Sequence, residues 1–292
     1  MSDLSDVPPA AAALSRMADW PEVRTAIGEV REAMTALRWH QALRRRIPEA
    51  AAESRVRGAQ ASGELEGARL PVDMVRELMA GVRAWPTEPD PVEQVMRGVV
   101  TATAATEEVR TTVLGAPAQA LARLHVAAVG GRVPADAVGR PRLAGEGSDE
   151  LVDVGPPADA LGVRDRLSML SDVLRGHADV PGALVAAVAH AEVATLRPFT
   201  HGNGVVARAL ERSLVQATGL DPTGVAVTEL GHFRQGLPAY VGALTAYATG
   251  SRDGVRLWIE HCCAALVSSA EEGRLVADAV LAGRLPGAPA GL

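Results

Sequence analysis

The feature that most constrains this chain is a nearly unbroken apolar run over residues 182–196. Ala183, Leu184, Ala187, Val188, Ala191 and Val193 recur at helical spacing, and so wide an apolar surface implies a helix buried on most sides. What packs around it follows from the aromatic count, which is four Trp, two Tyr and two Phe in 292 residues. Ala, Leu and Val must fill the interior, which favours close-packed helices over a sheet built on aromatic and β-branched pairs. The expected fold class is all-α. A chain of 292 residues suffices for one large domain or two small ones with a sizeable core.

The apolar helix delivers the chain to Arg197-Pro198-Phe199-Thr200-His201-Gly202-Asn203-Gly204-Val205-Val206-Ala207-Arg208. Lysine is absent, so all 29 basic side chains are Arg, and Asn203 is the only asparagine. An Asn kept between two glycines, against the bias of the whole composition, is not filler. Gly202 and Gly204 permit positive φ and a close approach of backbone to a ligand. Beyond them Val205, Val206, Ala209, Leu210 and Leu214 keep a helical period as far as Gly219, a suitable residue to follow a helix. The loop thus feeds a helix N-terminus, whose free N–H groups and dipole favour an anion. Arg208 lies one turn further on the same face, which suits a phosphate. The same spacing also fits a Gly-rich helix start with a surface Arg.

The loop resembles the signature of the Fic family, H-P-F-x-(D/E)-G-N-G-R-x-x-R, in Pro198, Phe199, Gly202, Asn203, Gly204 and Arg208. Upstream, Ala187-Val188-Ala189-His190-Ala191-Glu192 is similar to the helix that precedes this motif. Far away, Ser62-Gly63-Glu64-Leu65-Glu66-Gly67 fits the family's inhibitory-helix pattern, (S/T)-x-x-x-E-(G/N). The resemblance covers roughly residues 50–265. It implies a Fic-fold helical bundle with N-terminal helices packed on the core and a short β-hairpin flap over residues 131–158, where a target segment would lie. It implies an N-terminal helical region over 1–85, a Fic core over 86–250, and a C-terminal helix with a flexible tail over 251–292. It also implies ATP or another nucleotide held at Gly202, Asn203, Gly204 and Arg208. Ser62, Glu66 and Gly67 form the inhibitory element, with Glu66 paired to Arg208.

Three departures bear on activity. The family's catalytic His position is Arg197, its metal-binding carboxylate position is His201, and its first motif Arg is Val205. The family's usual reaction moves AMP from ATP to a Ser, Thr or Tyr hydroxyl with the His as general base. A guanidinium keeps its proton and has no lone pair to offer, and general-base catalysis is worth about 10²–10⁴-fold. Imidazole in place of carboxylate makes a poor Mg²⁺ ligand, since that ion takes oxygen, so no metal site is expected. Three readings follow. The first is a nucleotide-responsive pseudoenzyme. The second is an adenylyltransferase, or another phosphate-group transferase, with rearranged chemistry in which His201 is the base and Arg197 stabilises charge. The third is a helical scaffold whose loop is a relic.

The formal charge of −6 argues against nucleic acid or an anionic membrane as the main partner. The acidic start Met1–Asp6 lacks the pattern of a signal peptide, and no apolar run reaches about 18 residues. Adjacent Cys262 and Cys263 read as core thiols of a cytoplasmic protein. Candidate partners are thus a nucleotide, a protein segment at the flap and a second copy of the chain. In chain order, residues 1–19 read as a mobile or partly helical arm. Helices are expected over 21–47, 49–61, 70–85, 91–114, 117–130, 159–175, 182–196, 228–248 and 253–283, besides the one after the motif. A disordered tail is expected from Pro286. Tyr240 and Tyr247 read as core residues whose hydroxyls could alternatively accept a nucleotidyl group, His125 as a core or surface residue and not a ligand, and Arg140 and Arg142 as alternating positions of a short strand.

Overall fold

The computed structural model describes residues 9–129, 131–150 and 152–284, with twelve α-helices among them. They are α1 Pro9–Ala18, α2 Pro21–Arg38, α3 Ile47–Leu65, α4 Val72–Met79, α5 Pro91–Val109 and α6 Pro117–Val129. The second half holds α7 Ala160–Arg175, α8 Gly182–Leu196, α9 Asn203–Ala217, α10 Thr228–Gln235, α11 Leu237–Ala248 and α12 Arg252–Leu281. Their ends are chemically marked. Pro21, Pro48, Pro91 and Pro238 stand in first turns, where no N–H partner is lost. Asp90 and Glu93 close a reciprocal capping box on α5, and Asp159 and Ser251 cap α7 and α12.

The all-α expectation holds. In α8 every residue except Gly182 and Glu192 is buried, and α9, α11, α12 and α2 pack around it. One apolar core draws on residues from Leu14 to Val280. Trp258 of α12 fills space beside α8 and donates its indole N–H to the Ala187 carbonyl at 2.8 Å. No helix among the described residues is long and apolar enough to cross a membrane.

Several expectations are corrected. The span 70–85 forms only α4, because Gly81 takes φ +69° and the prolines from Pro86 onward cannot continue a helix. The span 228–248 is two helices, α10 and α11, broken where Gly236 takes φ +87° before Pro238. The β-hairpin over 131–158 does not form; no strand occurs among the described residues. Glycines at 139, 145 and 155 all have positive φ, and Pro134, Pro141, Pro156 and Pro157 interrupt any ladder. The backbone N–H groups of Arg142 and Asp149 instead reach the carbonyls of Pro198 and Thr200, at 2.7 and 2.8 Å. The segment therefore lies directly on the motif loop. The expected tail from Pro286, and residues 1–8 of the expected arm, lie outside the described residues.

Candidate functional site

The site begins where α8 ends. Arg197 caps that helix at φ +46°, the one non-glycine with positive φ among the described residues, in a conformation that costs an L-residue about 1–2 kcal/mol. Its carbonyl accepts from Arg142 Nε at 2.7 Å, and Arg142 also reaches the carbonyls of Glu146 (2.9 Å) and Ala158 (3.0 Å). The buried Arg142 is thus a clamp on the end of α8, not a strand residue, while Arg140 makes two bonds to Glu146, at 2.7 and 2.8 Å. The Arg197 guanidinium turns to the Gly155 carbonyl and stands 3.7 Å from Asp153.

Phe199 then inserts into the core and stacks on His125 with ring centroids 3.9 Å apart. His125 accepts from the Gly139 N–H at 2.9 Å through Nδ1, and burial pushes its imidazole down to about 4, so it is neutral. Gly202 takes φ +76°, and a Cβ there would stand 3.3 Å from Val129 Cγ1. Only glycine turns the chain into α9 at this point.

Asn203 opens α9 fully buried. Its Oδ1 accepts from Phe199 N at 2.9 Å and its Nδ2 donates to Phe199 O at 2.9 Å, closing the loop on itself. The remaining donors of Asn203 go to Glu150. Oε1 of that residue accepts from the Asn203 backbone N–H at 2.8 Å and from Nδ2 at 2.6 Å. A carboxylate therefore sits at the N-terminus of α9, where the dipole favours negative charge. Burial, then the charge of Glu66, pushes the Glu150 carboxyl up to about 7.

One turn on, Arg208 is 1% exposed. Its Nε donates to Ser62 Oγ at 2.9 Å, and its Nη2 to Glu66 Oε1 at 2.5 Å. Burial opposes its charge, and Glu66 overcomes that and holds the guanidinium protonated. A Cβ on Gly204 would lie 2.5 Å from Glu66 Oε1, so Gly204 is the opening through which Glu66 rests against α9. Gly67 ends α3 at φ +73° and lets Glu66 occupy the helix end. A second long-range pair, Arg212–Glu229 at 2.8 and 2.6 Å with Ser54 Oγ at 3.2 Å, ties α3, α9 and α10 together.

Glu66, Glu150, Gly204, Arg208 and Tyr240 line one cavity of about 20 Å³, completed by Val152, Val154, Ala194 and Leu244. Ser62, Glu66, Gly204, Asn203 and Arg208 are thus brought together. Arg197 and His201 do not line the cavity. His201 is half-buried, with Nε2 3.5 Å from Asp149 Oδ2 and Nδ1 unpaired among the described residues. Glu150 and Tyr240 are site residues that the motif alone does not reveal.

Beneath the cavity lies a buried polar cluster. His190 Nδ1 and His232 Nε2 both meet Glu211 Oε2, at 2.5 and 2.7 Å, and His190 Nε2 meets the Tyr240 hydroxyl at 2.7 Å. Burial pushes His190 down to about 4. Burial works against the Glu211 charge, but the two imidazoles hold its carboxyl below the usual range. His–carboxylate–His groups can bind a metal. Here both nitrogens converge on one oxygen at hydrogen-bond distance, so the carboxylate is engaged with two imidazoles.

No protein-family model matches the chain, and no curated protein does. Solved structures do. The chain is similar to a Fic family protein from Desulfovibrio desulfuricans, with TM-score 0.70 and 20% identity over 91% of this chain and 76% of that one. It is similar to Fic-1 from C. elegans, with TM-score 0.66 and 18% identity over 94% and 75% of the two chains. It is also similar to a Fic domain containing signaling protein from Bacteroides thetaiotaomicron, with TM-score 0.60 and 16% identity over 87% and 98%. At these identities the likeness shows the fold alone: the chain has the Fic fold.

Proposed function

We propose that this chain is a nucleotide-responsive pseudoenzyme, a Fic-fold protein that keeps a phosphate cradle at the start of α9 and lacks the group that would activate a hydroxyl. The observation that carries the reading is the Arg208–Glu66 pair. A guanidinium 1% exposed at a helix N-terminus, beside a glycine that admits close approach, is an anion site held by an internal carboxylate. With Glu66 withdrawn, Gly204 and Arg208 would be open to phosphate oxygens, and Mg²⁺ finds no carboxylate at His201. ATP does not fit while both carboxylates fill the 20 Å³ cavity, so binding requires α3 or the Glu66 side chain to move.

Arg197 supports the loss of hydroxyl activation. It stands where the resemblance puts the base, and its side chain is spent on the Gly155 carbonyl. His201 points to Asp149 and lies outside the cavity lining, which weighs against the rearranged-transferase reading.

Calorimetric titration of ATP, with and without Mg²⁺, into Glu66→Gly and the parent tests the proposal. Opening a site closed most of the time raises affinity by the inverse of its open fraction, about tenfold or more for a charge-assisted bond. Heat in the variant with weak heat in the parent is expected. Silence in both, repeated with GTP, leaves only the scaffold.

A further inference from the structure

A cavity of about 210 Å³ lies where α1 meets α7, α8, α11 and α12. It follows from the sequence of α1. Ala10, Ala13 and Met17 share one face of that helix, at i, i+3 and i+7, and the two alanines leave open a space that longer side chains would fill. Met169 and Val173 of α7 and Val188 of α8 line the same space. Apart from Arg166, Glu192 and Tyr247, every residue lining it is apolar. We propose that this cavity binds a small neutral amphiphile, a hydrocarbon body of a few carbons with a hydroxyl or amide at one end. The site is separate from the anion site at α9 and does not depend on it.

Volume sets the size of the ligand. An apolar cavity of about 150 Å³ takes benzene, so this one takes about eight non-hydrogen atoms. Met17 and Met169 are unbranched and adaptable, which lets the walls follow a flexible chain. The polar pole sets the end group. Glu192 accepts from Arg166 Nε at 2.9 Å, from Arg166 Nη2 at 2.7 Å and from the buried Tyr247 hydroxyl at 2.6 Å. The ion pair cancels within the wall, so a charged end group would give up its hydration for no net partner. A carboxylate has about four lone-pair sites, and these three donors leave one for a hydroxyl or an amide N–H. Val188 and Glu192 belong to α8, so the ligand would lie against the helix that ends at Arg197.

The test is titration of 1-heptanol, heptylammonium and hexanoate, probes of matched size, into the full chain, read by calorimetry and by melting temperature. 1-Heptanol is expected to bind with Kd about 1 mM or tighter and to raise the melting temperature. The two charged probes should bind at least about tenfold more weakly. Ala13→Phe fills the cavity from α1 and should weaken 1-heptanol about tenfold or more. Where Ala13→Phe does not melt cooperatively, Val255→Phe fills the cavity from α12 and meets the same criterion. Arg166→Gln leaves the Glu192 charge unpaired, and heptylammonium should then bind more tightly than 1-heptanol. Equal binding of 1-heptanol by the parent and a filled variant overturns the site. Charged probes that match the alcohol in the parent overturn the neutral end group. Binding that appears only in the full chain carrying Leu4→Ser and Val7→Ser makes the chain's own N-terminal segment the occupant and overturns the small-molecule ligand. No binding in any of these forms overturns the site altogether.

Discussion

Asn203 illustrates how much one side chain carries in this loop. Its amide closes a reciprocal pair with the Phe199 backbone, and its Nδ2 also reaches Glu150 at 2.6 Å and Ser148 Oγ at 3.2 Å. With Asn203→Ala the Phe199 N–H and C=O lose their partner in a buried place, at about 1–3 kcal/mol for each group left bare. A loss of about 2–4 kcal/mol in a chemical denaturation series is expected; a change under about 0.5 kcal/mol would show that the loop holds itself. Asn203→Asp is expected to cost more, because it sets a second carboxylate against Glu150. The importance of Asn203 was legible from its isolation in an Asn-free composition, but its loop-stapling bonds were not. Glu150 and His125 were not legible as site residues. One sits in a Gly- and Pro-rich segment without a period, the other on an ordinary apolar helix face, and only tertiary contact gives either a partner.

At the scale of elements, α3 acts on α9 through long side chains. Arg208 and Arg212 reach across to Ser62 and Ser54, and Glu66 completes the first pair. Breaking a buried pair from one side leaves an uncompensated charge, worth about 3–5 kcal/mol. Glu66→Ala is therefore expected to melt several degrees below the parent in a chloride buffer. Pyrophosphate should restore most of that loss by binding only the folded state. Arg208→Met removes the charge that an anion needs, so its melting should not respond to pyrophosphate. A Glu66→Ala protein that melts like the parent and ignores pyrophosphate would deny the pair its role. The helix pattern was largely legible because prolines, glycines and capping acids mark most ends. The break at Gly236 was hidden by apolar periodicity that runs through it. The flap region failed to pair as strands because the N–H groups of Arg142 and Asp149 go to the motif loop and others to side chains of the segment or of α6, a choice that no local pattern records.

In the whole molecule, five helices meet at the polar cluster under the cradle, with His190 from α8, Glu211 from α9, His232 from α10, Tyr240 from α11 and Trp258 and His261 from α12. The apolar period made the bundle legible, whereas the cluster is assembled by topology from single residues far apart in sequence. The cluster and the buried His125 of α6 together set the acid stability. Burial lowers His125 and His190 from 6.5 to about 4, so the unfolded chain takes up protons below 6.5 that the folded chain refuses. Their contribution is complete above 6.5 and is lost as pH falls toward 4; for the fully buried His190 it is about 3 kcal/mol. Glu150 has the opposite sign. Its carboxyl is raised from 4.5 to about 7, so what it contributes is present below 4.5 and is lost as pH rises from 4.5 to about 7, which offsets part of the imidazoles' loss over the same range. The melting temperature should therefore fall steeply between pH 6.5 and 4.5 and only slightly between 6.5 and 8, as read by circular dichroism at fixed ionic strength. His190→Gln, which keeps a donor toward Glu211 and cannot titrate, should flatten the acid limb. An acid limb in His190→Gln as steep as the parent's would mean that His190 is already charged in the fold.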